Sequence, residues 1–99
     1  MNRRLILSPR AKADIDDIWE YSAENWSPKQ ADRYLTGLDG VLNLLCDQPG
    51  LARLMREFQP PVRMHLYRSH SIFYRSDATT MIVVRILYAR SDWRALLSD

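Results

Sequence analysis

The sequence predicts an α+β fold in which an N-terminal strand and an antiparallel helical hairpin pack on one face of a small, mostly antiparallel sheet, in the order β-α-α-β-β-β. Three observations carry this reading. Between Arg63 and Trp93, three runs alternate apolar and polar residues at the period of two that a pleated strand requires. Between Ser8 and Asp47, apolar residues recur at three and four instead, the spacing of helices with one buried stripe. A length of 99 residues suffices for one such core but not two, so residues 1–99 read as a single domain.

Arg3 to Leu7 alternate weakly and have strand composition, which predicts a short first strand. Ser8-Pro9 then starts a helix, with serine as N-cap and proline at the first helical position, where its missing N–H breaks no bond. Ala11, Ile15, Ile18, Trp19 and Ser22 form the buried stripe, and Asp14, Asp16, Asp17, Glu20 and Glu24 the expected solvent side. Arg10 and Lys12 near the start and Glu20 and Glu24 near the end oppose the helix dipole. Each such charge costs roughly 0.3–1 kcal/mol, too little to disturb the helix.

The second helix has clearer signals. Ser27 with Gln30 forms a capping box, Pro28 takes the first helical position, and Trp26 is placed to staple onto Ala31. Ala31, Tyr34, Leu35, Leu38, Val41, Leu42 and Leu45 make a wide apolar stripe. Gly37 and Gly40 lie within it at about 1 kcal/mol each relative to alanine, and close approach to the first helix would be a reason to keep them. Asp47-Gln48-Pro49-Gly50 ends the helix, and the short connection around Asn25 predicts an antiparallel hairpin. From Leu51 to Pro61 the signal is weaker: a helical turn fits, then Pro60-Pro61 forces extension.

The meander follows as Val62 to Tyr67, Ser71 to Arg75 and Met81 to Tyr88, with turns at Arg68-Ser69 and at the polar cluster 76–80. In the last strand, strict alternation places Ile82, Val84, Ile86 and Tyr88 on one face, with Tyr88 toward the core, and Met81, Val83, Arg85 and Leu87 on the other. A strand apolar on both sides belongs at the centre of a sheet. Arg85 must then be paired, exposed in a groove or covered by a partner, because an unpaired buried guanidinium is very unfavourable.

Composition excludes several classes of function. Met1-Asn2-Arg3-Arg4 is followed by only three apolar residues before Ser8-Pro9, so no signal peptide is expected. No apolar run approaches the roughly 20 residues that span a bilayer, and the expected location is the cytoplasm. Cys46 is the single cysteine, which excludes an internal disulfide; with two separated histidines it builds no structural zinc site, and no metal or other cofactor is expected. Its position on the apolar side of the second helix makes it a core residue. The net charge of +2 hides an asymmetry: residues 1–50 carry six Lys/Arg against eight Asp/Glu, and residues 51–99 eight against four. All eight basic residues in the second half are arginine, the better residue for forked contact with carboxylates or phosphates.

The order Ala11-Lys12-Ala13-Asp14-Ile15-Asp16-Asp17-Ile18-Trp19-Glu20-Tyr21, Pro49-Gly50, Arg63, Ser69-His70-Ser71-Ile72-Phe73-Tyr74-Arg75 and Val84-Arg85-Ile86-Leu87-Tyr88-Ala89-Arg90-Ser91-Asp92 resembles the ParE group of the RelE/ParE toxin superfamily over nearly the whole chain. The resemblance implies the toxic half of a bacterial toxin–antitoxin pair, held inactive by a small antitoxin. It implies DNA gyrase as the target if the chain follows the ParE group, and ribosome-bound mRNA if it follows the RelE group.

Chemistry separates the two. Cleavage of RNA through its 2′-hydroxyl needs a base, an acid and a cation for the developing charge. The resemblance places such groups on the sheet and C-terminal tail of the nucleases, at positions that here hold Ser71 and Ala89-Arg90. His65 and His70 are the remaining candidate acid/base groups, and both read as surface or turn histidines. Tyr88 reads as a packing residue. The expectation is therefore a gyrase-binding inhibitor rather than an enzyme, with a ribosome-dependent mRNA endonuclease, or a chain that has lost toxicity, as alternatives.

Contacts to antitoxin or target are expected from an arginine-rich sheet face, Arg63, Arg75, Arg85 and Arg90, and from the tail at Trp93 and Arg94, since Trp and Arg are common interface anchors. The expected antitoxin has an acidic, amphipathic C-terminal segment that folds along an apolar groove and this face. Operator DNA binding is expected of the antitoxin and not of this chain.

Overall fold

A computed structural model describes residues 3–98; Met1 and Asn2, part of the N-terminal reading above, lie outside them. β1 (Arg4–Leu7) leads into α1 (Pro9–Asn25). At the junction, the Ser8 hydroxyl accepts from the Ala11 N–H at 3.0 Å and donates to the Val84 carbonyl at 2.7 Å. One side chain thus caps the helix and pins it to the sheet. α2 (Pro28–Asp47) starts as its sequence requires, with the Ser27 hydroxyl accepting from the Gln30 N–H at 3.1 Å. The expected staple does not form, and Trp26 is 74% exposed. Its N–H closes α1 on the Ser22 carbonyl, so the end of the first helix, not the start of the second, sets where its ring goes.

The weakly marked segment holds a 3-10 turn at Pro49–Leu51 and a short strand, β2 (Arg53–Met55), which the sequence reading lacks. β3 (Val62–Tyr67), β4 (His70–Ser76) and β5 (Thr80–Tyr88) form the meander, and a tail helix, α3 (Trp93–Ser98), follows. The sheet order is β1-β5-β4-β3-β2, with β1 parallel to β5 and the other pairs antiparallel. The α+β fold and the central place of the last strand are as expected.

Strict alternation along β5 is not. Phe73 pairs with Arg85 and Tyr74 with Val83, which leaves Val84 as an additional residue in a β-bulge. Met81 and Val83 enter the helix-side core, and beyond the bulge Ile86 joins them, while Leu87 turns to the other face. The expected grouping of Ile82, Val84 and Ile86 is therefore broken, because the bulge shifts the phase by one residue. Tyr88 is half exposed instead of core-facing.

The core has two parts. Ile18, Leu38, Leu42 and Leu45 of the hairpin pack on Ile72, Tyr74, Met81, Val83 and Ile86. On the opposite face, Met55, Val62, Phe73 and Leu87 are covered by Phe58, Met64, Trp93 and Leu97. A large apolar side chain contributes about 1.5–3 kcal/mol when fully buried. That is enough to hold a six-residue α3, too short to persist alone. The tail thus packs on the sheet, leaving only part of its second face open.

Candidate functional site

α1 crosses the bulged part of β5, and Asp14 marks the crossing. Its carboxylate accepts from Arg85 Nε at 2.8 Å, from Arg85 Nη2 at 2.9 Å and from the Ile86 N–H at 2.9 Å. Asp14 is 8% exposed, contrary to the solvent side assigned from its charge. The reason lies in the spacing: Asp14 is three residues after Ala11 and four before Ile18, both buried, so it sits on the same stripe. Arg85 is paired, one of the three outcomes the sequence allowed.

Beyond this pair, the hairpin tip, the β3–β4 turn and the end of β5 enclose an open cleft of about 1170 Å³. Aromatic rings line it in series. The Tyr34 hydroxyl lies 2.6 Å from His70 Nδ1, and the His70 ring meets Tyr34 and Tyr88 edge to face, with centroids 5.5 and 6.1 Å away. Tyr67 packs on Tyr34 at 5.2 Å, and its hydroxyl donates to the Tyr34 carbonyl at 3.1 Å. Gly37 admits it: a Cβ there would stand 2.2 Å from the Tyr67 hydroxyl. The glycine thus serves contact with the sheet and not, as expected, with the first helix, while a Cβ on Gly40 would meet nothing within 4 Å.

Burial lowers the pKa of His70, with Asp14 offsetting part of the effect, and burial raises that of Tyr34. Both shifts favour the neutral forms, so the bond joins a protonated phenol and an uncharged imidazole. Such a pair rigidifies the cleft floor; a phenol held in its protonated form supplies no general base.

The rim is different in character. Arg68 has a φ of 50° and is the first residue of the two-residue β3–β4 loop, where glycine is ordinarily found. Its guanidinium lies 5.7 Å from the Tyr67 ring centroid. Arg33 stands exposed on α2, and Tyr21 and Trp26 project from the hairpin tip.

The residues named from the sequence divide between surfaces. Arg75, Trp93 and Arg94 come together on the face opposite the hairpin. Trp93 packs on Phe73 at 5.3 Å, and Arg94 lies 4.6 Å over the Trp93 ring while pairing with Glu57. Arg75 lines a hollow of about 260 Å³ with Phe58 and Leu97, donates to the Pro60 carbonyl, and has its Nε buried without a partner. Arg90 is exposed just past β5. Arg63 is elsewhere, donating to the Ala52 carbonyl at 2.8 Å beside the helix-side Tyr74, and Arg85 is on Asp14. Arg63, Arg75, Arg85 and Arg90 do not share one face. The sequence reading missed the cleft, whose signal was the string of aromatics Tyr21, Trp26, Tyr34, Tyr67 and Tyr88 around Arg68. Among the described residues, no group of three or more His, Cys, Asp or Glu side chains is placed to hold a metal ion, and no helix is long and apolar enough to cross a membrane.

Comparison with known proteins gives the family. Residues 5–93 match the model described as the ParE toxin of the type II toxin–antitoxin system, parDE. Toxin ParE1 of Mycobacterium tuberculosis is 34% identical over 93 residues, covering 93% of this chain and 95% of that protein. Toxin ParE1 of Caulobacter vibrioides is 35% identical over 91 residues, covering 92% and 94%. A solved structure titled as a chromosomal ParDE TA system from P. aeruginosa shares the fold, with a TM-score of 0.74 at 20% identity over 87% of this chain and 95% of that one. The chain belongs to the ParE toxin family of type II toxin–antitoxin systems.

Proposed function

We propose that the chain inhibits DNA gyrase by binding it and is neutralised by an antitoxin with an acidic, amphipathic C-terminal segment. The supporting observation is the surface built by the tail. Arg94 stacked on Trp93, with Arg75 on the same face and Arg90 exposed three residues before Trp93, makes an arginine–tryptophan surface of the composition that anchors interfaces. Two of the groups that acid–base cleavage of RNA would use are committed elsewhere: His70 to Tyr34, and Arg85 to Asp14. Arg75, Arg90, Trp93 and Arg94 are the proposed contact residues, with Arg63 and Arg85 holding the scaffold behind them. Primer extension on mRNA from expressing cells tests the choice of target. The inhibitor reading expects no discrete cuts within translated codons, and a ladder of such cuts contradicts it.

A further inference from the structure

On the face opposite the hairpin, the hollow of about 260 Å³ lies between the end of α3, β5 and the segment that leads into β3. It is smaller than the roughly 300–1,000 Å³ of pockets that take drug-sized ligands, so its occupant has only a few carbon atoms. Phe58, Val62, Val84 and Leu97 give it apolar walls. Val84 is the additional residue of the β5 bulge, and bulges recur where a strand re-aims a side chain next to a site.

Arg75 is the cation on these walls, and its bonding is incomplete. Its Nη2 donates to the Pro60 carbonyl at 3.4 Å, long for such a bond, and its Nε is buried with no acceptor. Among the described residues the ion pairs are Arg85 with Asp14 and Arg94 with Glu57, which leaves Arg75 without a carboxylate there. A buried N–H is ordinarily bonded, and leaving it unmade costs more than a typical bond contributes. The complement of this group carries two acceptor oxygens side by side, because guanidinium N–H groups meet a carboxylate fork to fork.

We propose that the hollow binds a short aliphatic carboxylate, with its two oxygens on Arg75 and its carbon chain among Phe58, Val62, Val84 and Leu97. Charge favours a monoanion over a phosphate. Glu57 also lines the hollow, and although Arg94 pairs with it, a dianion entering there would gain one guanidinium and meet a carboxylate. Nε is buried, so a ligand oxygen reaches it as Leu97 and Ser98 give way. Those residues end a six-residue helix, and a helix so short has little persistence of its own. The site stands apart from the cleft and needs neither antitoxin nor gyrase to be occupied.

The test is titration of the isotope-labelled full chain with sodium butyrate, read in proton–nitrogen spectra at the Nε–H signal of Arg75, which its loss in Arg75→Lys identifies. The proposal expects that signal to shift and saturate with a dissociation constant of about 1–10 mM, the range open to so small a ligand. Butyramide, the uncharged analogue, and inorganic phosphate are each expected to bind about tenfold more weakly or worse. Arg75→Gln is expected to abolish the response at the backbone amides of Val84 and Leu97. The proposal is overturned by no saturating shift at Arg75, by an equal response to butyramide, by the same shift at the exposed Arg33 and Arg68, or by an unchanged response in Arg75→Gln. Binding that appears only in Asp99→Ala would make Asp99 the occupant and overturn it as well. An acetylated, amidated alanine–glutamate–alanine peptide distinguishes the sources. Saturation by butyrate alone assigns a free acid and saturation by both an acidic side chain of a protein, and the carboxylate site stands in either case.

Discussion

Asp14 grips Arg85 with both carboxylate oxygens and, through Oδ2, also takes the Ile86 N–H. One side chain thus ties α1 to β5 just past the bulge, where Ser8 has already bonded the Val84 carbonyl. Removing one partner of a buried ion pair is far more damaging than replacing both. Asp14→Ala is expected to destabilise the protein by about 3 kcal/mol, a fall in Tm of about 12 °C or more for a domain of this size. Arg85→Met in the Asp14→Ala background is expected to add much less than it does alone. Thermal denaturation of the two single variants and the double closes the cycle.

The two helical glycines are expected to respond in opposite directions. Propensity alone favours alanine over glycine by about 1 kcal/mol in a helix interior. Gly40→Ala, with open space around the new methyl, should gain most of that. At Gly37 the methyl would collide with a phenol held by its bond to the Tyr34 carbonyl. Gly37→Ala is expected to lose about 1–3 kcal/mol, part of it recovered by adding Tyr67→Phe. Urea midpoints of the four proteins check the signs.

His70 should give stability a pH dependence near neutrality. Its folded pKa lies below the ordinary 6.5 because burial disfavours the charged ring. As the pH falls through 6.5, the unfolded chain takes up a proton that the folded chain resists, so stability present above that pH is lost below it. Glu57 and Asp77 have lowered pKa values, Glu57 mainly through its bond to Arg94 and Asp77 through the N–H groups of Thr79 and Thr80. Their contributions are likewise present at higher pH, but are lost only below their ordinary 4.5 and 3.8. Between about pH 7.5 and 5.5 the fall in Tm is therefore expected to be shallower in His70→Phe than in the wild type.

Arg68→Gly tests the backbone of the β3–β4 turn, where Arg68 has a φ of 50°. Relief of the left-handed conformation is worth about 1–2 kcal/mol, offset by the greater freedom of glycine in the unfolded chain, about 0.5–1 kcal/mol. The variant should be as stable as the wild type or slightly more so by differential scanning calorimetry.

Caps, stripes and alternation made most of the fold legible, because Ser8-Pro9, Ser27-Pro28 and the meander act through neighbours in sequence. What escaped depends on partners distant in the chain. Asp14 was read by its charge, although its spacing from Ala11 and Ile18 put it on the buried stripe. β2 is three residues long and exists through pairing with β3. The bulge at Val84 leaves no local mark, yet it re-aims Ile86 and Tyr88. The grouping of the candidate residues also depends on distant partners. The six residues expected on one sheet face and the tail lie on several surfaces, while the cleft joins residues from α1, α2, the β3–β4 turn and β5 that no sequence window contains together.

The most direct measurement is plasmid supercoiling by purified gyrase, titrated with this chain and then with its antitoxin. The account predicts loss of supercoiling or trapped cleavage complexes, reversed by antitoxin and weakened in Arg90→Ala/Arg94→Ala with folding intact. Undiminished supercoiling in the presence of excess folded chain would contradict it.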